Sequence, residues 1–166
     1  MAFSLDNTHI AVTYHYVEDP RFDAGGIRPC SVAEFERQIR FLAERFQFAS
    51  VPEVYEAAKR GSVEKLCAVT FDDGLQDQWE NAIPILKHYG VLATFFIITG
   101  TFDGKMPSAH KIHMISSRIS MHALVEKFNS FVLHAFPDFA QLYHIPLDHF
   151  LTNKRRHDDI LPANFK

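Results

Sequence analysis

The stretch LCAVTFDDG, residues 66 to 74, joins a continuous apolar run to two adjacent carboxylates and a glycine. An apolar run of this length, interrupted only by Thr70, is typical of a strand that helices cover on both faces of a parallel sheet. Asp72 and Asp73 stand where that strand should end. Two neighbouring negative charges repel each other, and burying a carboxylate without a partner costs several kcal/mol. The pair therefore indicates a site with a positive group between the two carboxylates.

Strand and helix patterns alternate before this stretch. Residues 10 to 17, IAVTYHYV, largely alternate apolar and polar side chains and predict a first strand. Ser31 opens a capping-box pattern with Glu34 and predicts the start of a helix. Residues 46 to 51 predict a short second strand, and Ser50 then begins a second helix. The apolar positions of the first helix recur at helical spacing: Val32, Phe35, Ile39, Leu42 and Phe46.

The alternation continues after Gly74. A third helix is predicted by an apolar stripe of Trp79, Ala82, Ile83, Leu86 and Tyr89. Pro84 predicts an irregularity within it. Residues 91 to 98, VLATFFII, predict a fourth strand. This order requires right-handed crossovers and a parallel sheet, either open or closed into a barrel, so the fold class is α/β. Function in such folds lies at the carboxyl ends of the strands, where the acidic pair stands.

The pattern changes near residue 108. An amphipathic stripe of Met121, Leu124, Val125, Phe128, Val132 and Phe136 predicts one long helix, which Pro137 should end. We therefore divide the chain into a β/α portion, residues 1–107, and a helical insertion or tail of the same domain, residues 108–166.

Composition restricts the class of protein. The chain has 166 residues, 47% of them apolar and 22% charged, which suits one soluble domain or part of one. A net charge of -3 with only small basic clusters, the densest at residues 154 to 156, argues against nucleic acid as a partner. No run approaches the roughly 18 apolar residues of a membrane span, and residues 1 to 7 lack the pattern of a secretory signal. We therefore expect a cytoplasmic protein without a membrane span.

The acidic pair suggests a hydrolytic metal site. A continued pleat would turn Asp72 and Asp73 to opposite faces, but Gly74 tolerates unusual dihedral angles and lets the chain turn there. One carboxylate can then bind a cation while the other remains free as a base, and the cation removes the repulsion between them. A divalent metal lowers the pKa of a bound water and polarises a carbonyl oxygen. The chemistry that follows is hydrolysis of an acyl or amide bond.

Residues 69 to 74 resemble the first motif, TFDDG, of the polysaccharide deacetylases, the NodB-homology group also called carbohydrate esterase family four. The YHYV strand, the FERQIRFLAERF helix, the helix after the acidic pair and the ATFFI strand at residues 93 to 97 resemble the early elements of that family in order. The resemblance covers about residues 8 to 100. It implies a distorted β/α barrel of the polysaccharide deacetylase type, incomplete in this chain, with about four parallel strands and a helical tail.

The resemblance also implies the roles of the acidic pair. Asp72 corresponds to the catalytic base and Asp73 to the metal ligand. The family removes N-acetyl groups from amino sugars in polysaccharides or glycoconjugates, using a divalent ion held by one Asp and two His. One carboxylate oxygen, two imidazoles and an open water position suit zinc, with cobalt or nickel as alternatives.

The two ligand histidines of the family belong to a motif of the form H-S/T-x-x-H, which this sequence lacks. The nearest candidates are His110 and His113 in AHKIHMI, three residues apart and therefore on one face of a helix. We predict that this pair binds the metal. His15, late in the first strand, is predicted to contact substrate, and a hydrogen-bonded core histidine is the alternative for it.

Four strands fall short of a closed barrel, which takes roughly 200 or more residues. We therefore expect the amino-terminal part of a longer deacetylase, in which residues 108–166 belong to a helical insertion before the second motif. The unfinished sheet edge should then be covered, for instance in a homo-oligomer.

Three other interpretations remain open. Asp-Asp-Gly is common in solvated turns. The chain can also be an inactive fragment or a non-catalytic carbohydrate-binding or scaffold domain that keeps the acids without the histidines. Finally, the spacing of the acids in DDGLQD resembles that of a Mg-dependent diphosphate site, although such clusters usually lie on a helix.

Overall fold

The computed structural model describes residues 9–20 and 27–145. These residues form two compact units, the first of residues 9–20 and 27–111 and the second of residues 112–145. The predicted helical tail extends to residue 166, and its part beyond residue 145 lies outside the described residues.

The described part of the first unit contains one parallel sheet. Its strands are β1 (Ile10–Tyr14), β2 (Gln47–Phe48), β3 (Leu66–Asp73) and β4 (Ala93–Ile97). β3 is central, because it pairs in parallel with each of the other three strands. Its register places Val69 opposite Val12 of β1 and opposite Ala93 of β4. The predicted α/β class with parallel strands is confirmed.

Three strands are shorter than predicted. β1 ends at Tyr14 because its ladder with β3 ends at the pair Tyr14 and Phe71, whereas the sequence pattern continues to Val17. β2 is reduced to two residues, which pair with Leu66 and Cys67. The alternation of side chains records which faces are covered, but a strand also needs a partner at every position.

Phe71 lies in the apolar core of the first unit and immediately precedes the acidic pair. Its ring stacks on Phe95 at a centroid distance of 4.8 Å and on Tyr14 at 5.6 Å. Phe35 packs edge-on against Tyr14 at 4.8 Å. Such aromatic pairs contribute roughly 0.5–1.5 kcal/mol beyond their buried area. The end of β3 therefore packs within an aromatic cluster.

The first two helices of the first unit begin where the capping signals predict. The helical segments of this unit are α1 (Val32–Ala43), α2 (Val51–Lys59), a π-helical segment (Gln78–Ala82), α3 (Ile83–His88) and a 3-10 segment (Thr99–Asp103). Ser31 caps α1 by accepting a hydrogen bond from the Glu34 N–H at 3.2 Å. Ser50 and Glu53 form a complete capping box at the start of α2. These contacts satisfy backbone donors that have no partner within the helix.

The helix after the acidic pair departs from the predicted stripe. Trp79, which we expected on the packed face, is 71% exposed, while Gln78 is buried with 1% exposure. The Ile83 N–H donates to the Gln78 carbonyl five residues back, as in a π-helix. Pro84 has no N–H to continue the regular ladder, and this widened turn precedes it. The extra residue per turn shifts the buried face from Trp79 to Gln78.

The remaining helices are α4 (Ser108–Ser116), α5 (Met121–Ala135), a 3-10 segment (Pro137–Phe139) and α6 (Ala140–Tyr143). α4 begins in the first unit and ends in the second. α5 is the predicted amphipathic helix, and it ends before Pro137 as expected, with Val125 and Val132 buried. Within the described residues, no helix combines the length and apolar character needed to cross a bilayer.

Candidate active site

The acidic pair lies at the carboxyl end of β3, the central strand. Asp72 continues the strand, but Asp73 has a φ of 77° and Gly74 a φ of 67°. The predicted turn therefore begins at Asp73 itself, one residue earlier than expected. Asp is among the few non-glycine residues that enter the left-handed region readily. This backbone change interrupts the alternation of the pleat, so both carboxylates approach the same imidazole, that of His15.

Gly74 combines a positive φ with a close approach to β4. A Cβ at this position would lie 3.1 Å from Cγ2 of Ile97. Glycine is therefore favoured for two separate reasons, the positive φ and the close contact with the Ile97 side chain of β4.

We expect Gly74→Ala to reduce the free energy of unfolding by about 1–2 kcal/mol for the left-handed backbone, plus a cost for the displaced Ile97 side chain. The matched control is Gly104→Ala, since Gly104 has a φ of 71° and nothing within 4 Å of its added Cβ. Urea unfolding of the two variants measures the difference. Equal destabilisation would show that the Ile97 contact is unimportant.

Two imidazoles contact the same oxygen of Asp73. Nδ1 of His15 and Nε2 of His110 each lie 3.1 Å from Asp73 Oδ2. The His110 side chain is 11% exposed and the Asp73 side chain 20%, whereas that of His15 is 55% exposed. Asp73 thus accepts from one buried and one accessible ring. The structure brings the predicted residues Asp73 and His110 together.

Asp72 lies at the accessible side of this cluster. Its Oδ2 is 3.9 Å from Nε2 of His15, beyond hydrogen-bonding distance but within the range of an ion pair if the ring is protonated. His15 therefore lies between both carboxylates. Its predicted contact with substrate stays a prediction, and its contact with Asp73 is an additional finding.

The environment keeps Asp73 ionised. Partial burial acts to raise the pKa of its carboxyl group, but the hydrogen bonds and charges of His15 and His110 outweigh it and hold that pKa below the ordinary value. A carboxylate that stays charged near neutral pH is a suitable ligand for a cation.

Tyr16 adds an aromatic side to the cluster. Its ring packs edge-on against His110 at a centroid distance of 6.0 Å. Burial, followed by the charges of Asp73 and Asp77, raises the pKa of the Tyr16 phenol. The phenol is therefore protonated at neutral pH.

Three polar side chains that the sequence analysis did not assign to the site hold its backbone. Asp77 accepts from the Val17 N–H at 2.5 Å, and Asn81 donates to the Val17 carbonyl at 2.7 Å. Gln78 donates to the carbonyls of His15 and Asp72. From the sequence, Asp77 is considered only as the third acid of DDGLQD, and Gln78 carries no signal because it falls between the apolar positions. The π-helical turn that buries it was not predictable from periodicity.

His113, the second predicted ligand, lies on α4 beyond Lys111 and belongs to the second unit. Its side chain is half-buried. Its role as a metal ligand stays a prediction.

The donors at the end of β3 suit a divalent metal by type, since they comprise one carboxylate and two imidazoles. Their positions are those of a hydrogen-bonded cluster, with both ring nitrogens in contact with Asp73 Oδ2. Over residues 9–20 and 27–145, no three His, Cys, Asp or Glu side chains are placed as a ready metal shell. The residues thus fit a metal in chemistry, and binding requires the contacts to Asp73 to be replaced by bonds to the ion.

A groove with a volume of about 380 Å³ lies elsewhere in the first unit. It is lined by residues that include Gln47, Glu56 and Leu66. Leu66 begins β3, so this groove lies at the opposite end of the strand from the acidic pair. Because active sites of parallel sheets lie at the carboxyl ends of strands, we assign the chemistry to the acidic pair instead.

Comparison with known proteins places the chain in a family. The family model for polysaccharide deacetylase matches residues 59–157, which include both acids and His110. Poly-beta-1,6-N-acetyl-D-glucosamine N-deacetylase of Staphylococcus aureus is 32% identical over 126 residues, covering 68% of this chain and 43% of that protein. The enzyme of the same name from Staphylococcus epidermidis is 30% identical over 125 residues.

Among solved structures, IcaB from Ammonifex degensii is similar at 29% identity, covering 57% of this chain and 40% of that one with a TM-score of 0.49. The chain spans less than half the length of the curated relatives it matches, 43% for the staphylococcal proteins. The match of the family model over most of the chain, including the acidic pair, shows that the chain belongs to the polysaccharide deacetylase family.

Proposed function

We propose that this chain forms the catalytic end of a metal-dependent carbohydrate deacetylase, which hydrolyses the N-acetyl group of an amino sugar in a polysaccharide or glycoconjugate. The observation that supports it most is the contact of two imidazoles with Asp73 Oδ2 beside the second carboxylate, Asp72. This cluster lies at the carboxyl end of a central parallel strand, in a chain of the polysaccharide deacetylase family.

The metal would be held by Asp73 and His110, with His15 as the second imidazole. The family is generally metal-dependent. We propose zinc, with cobalt or nickel as alternatives, because all three accept mixed oxygen and imidazole ligands. When bound, such an ion supplies positive charge that acidifies a water molecule and polarises the acyl oxygen of the substrate. His113 stays a proposed metal ligand.

Asp72 is proposed as the general base. Its carboxylate, 40% exposed, accepts a proton from the attacking water as the water oxygen bonds to the acetyl carbon. The carbon–nitrogen bond then breaks as the nitrogen takes up the proton that Asp72 has accepted, and the products are acetate and the free amine of the sugar. Asp73 is held by two imidazoles, so it is the less available of the two carboxylates for proton transfer.

We propose an N-acetylglucosamine glycan as the first substrate to test, because the staphylococcal relatives are named as deacetylases of poly-beta-1,6-N-acetyl-D-glucosamine. The test measures acetate release and new free amines from N-acetylglucosamine oligomers, with and without added zinc. We expect zinc-dependent release of both products in equal amounts. Release that is unchanged by a chelator would contradict the metal, and no release from any N-acetylated glycan would contradict the activity.

A non-catalytic carbohydrate-binding domain is the second candidate. It is favoured by the absence of a ready metal shell among the described residues. Glycan binding without zinc binding would support it. The Mg-dependent diphosphate interpretation needs Asp77 as a third acid at the site. The Asp77 carboxylate instead accepts a hydrogen bond from the Val17 N–H.

Two further expectations remain proposals. β4 carries exposed apolar side chains at Phe96 and Ile97, which a second copy of the chain could cover as the predicted homo-oligomer. Light scattering measures that state. A cytoplasmic location is likewise proposed, and fractionation of cells that produce the protein tests it.

A further inference from the structure

We propose that Asp77, Gln78 and Asn81, called the polar clamp below, position His15 against the acidic pair. The inference rests on the proposed function, since it assigns to these residues the placement of one imidazole of that site. They are positioning residues, because they act through the backbone of residues 15 to 17.

The polar clamp binds the backbone just beyond the last hydrogen-bonded pair of β1 and β3. The register of β1 with β3 ends at Tyr14 and Phe71, so His15 and Asp72 would form the next pair. Gln78 Nε2 donates to the carbonyls of both residues, at 2.8 Å to His15 and 2.6 Å to Asp72. One side-chain amide therefore joins the two strand ends in place of a ladder bond.

Val17, two residues after His15, is bound by side chains at both its N–H and its carbonyl group. Asp77 Oδ2 accepts from the Val17 N–H at 2.5 Å, and Asn81 Nδ2 donates to the Val17 carbonyl at 2.7 Å. Val17 is itself fully buried. With its backbone donor and acceptor both bound by side chains, the segment after β1 has a defined path without belonging to a strand.

The hydrogen bonding of Gln78 indicates that the polar clamp does more than fill space in the core. The residue is 1% exposed, yet its Oε1 has no hydrogen-bond partner among the described residues. A buried acceptor without a partner destabilises a fold, and an apolar side chain of similar size would avoid that cost. Its contribution comes from the nitrogen alone, which binds the two carbonyls at the site.

The consequence falls on His15. Its ring is more than half exposed, so few packing contacts fix its orientation. Its Nδ1 nevertheless lies 3.1 Å from Asp73 Oδ2. A fixed backbone at His15 and Asp72 keeps the ring within reach of the acids, and a loose backbone would let it turn into solvent.

The test uses the whole chain without metal or substrate, labelled with 15N in its histidines. Gln78→Met removes the amide while keeping the length of the side chain. We expect the ring resonances of His15 to shift toward those of a free histidine, while amide resonances of β3 remain at their wild-type positions. Gln76→Met is the matched control, because Gln76 lies two residues earlier and donates to the exposed Glu80.

Unchanged His15 resonances in a folded Gln78→Met variant would overturn the proposal, as would an equal shift in Gln76→Met. If Gln78→Met does not fold, Asn81→Ala replaces it, since Asn81 is only half-buried. A smaller shift of His15 in the same direction is then expected, and no shift overturns the proposal. Because neither metal nor glycan is present, a chain without deacetylase activity still gives a decisive result.

Discussion

Asp72→Asn is expected to lower kcat for deacetylation by about 10²- to 10⁴-fold, the contribution typical of a general base. The amide of asparagine has nearly the shape of the carboxylate but cannot accept a proton from water at neutral pH. Asp72 follows the β-strand conformation and makes no left-handed turn, so the substitution should leave the backbone intact. Acetate release under saturating glycan and zinc measures the loss.

The control for this variant is Asp103→Asn, the same substitution at an exposed position in the 3-10 segment. It should retain the wild-type kcat. Zinc affinity of Asp72→Asn, measured by calorimetry, should stay near that of the wild type, because Asp73 and His110 remain. An Asp72→Asn variant with full turnover would remove Asp72 from the role of base.

The sheet could be predicted because its signals are local. Residues 66 to 71 are buried throughout, as the unbroken apolar run indicates, and the capping serines Ser31 and Ser50 begin their helices as expected. Each of these signals depends on residues a few positions apart. An unbroken apolar run indicates burial on both faces of a strand, and a serine before a helical pattern indicates an N-terminal cap.

The clamp could not be predicted because it joins residues about 60 positions apart through side-chain to backbone contacts. Burial of Gln78 instead of Trp79 depends on one π-helical turn, which the apolar spacing does not reveal. The apolar spacing from Trp79 to Tyr89 predicts a regular helix, and Pro84 predicts an irregularity without indicating its kind.

The candidate site was predicted in part. Adjacent acids at the end of a strand indicate Asp72 and Asp73, and His110 together with His113 is the pair nearest to the family's histidine spacing. The structure joins Asp73 to His110, whereas the contact of Asp73 with His15 required the parallel pairing of β1 and β3. Spacing along the chain cannot show which histidine of a distant strand reaches the acids.

Asp73→Asn is expected to weaken zinc binding by at least about 100-fold, above the effect typical of residues that only orient a ligand. Asparagine is the substitution that changes the charge with the least change in structure, because it tolerates the φ of 77° that Asp73 adopts and retains one oxygen. The change therefore removes the charge without imposing new backbone strain. Calorimetric titration with zinc, and the visible absorption of bound cobalt, measure the affinity.

Comparison with Asp73→Ala separates charge from conformation. Alanine removes both the charge and the remaining oxygen and is strained in the left-handed conformation, so it should weaken zinc binding at least as much as asparagine does and unfold at a lower urea concentration. If Asp73→Asn binds zinc as tightly as the wild type, Asp73 is not the ligand. If the wild type binds no zinc while it still binds glycan, the two imidazoles on Asp73 form a structural cluster, and the non-catalytic candidate replaces the hydrolase.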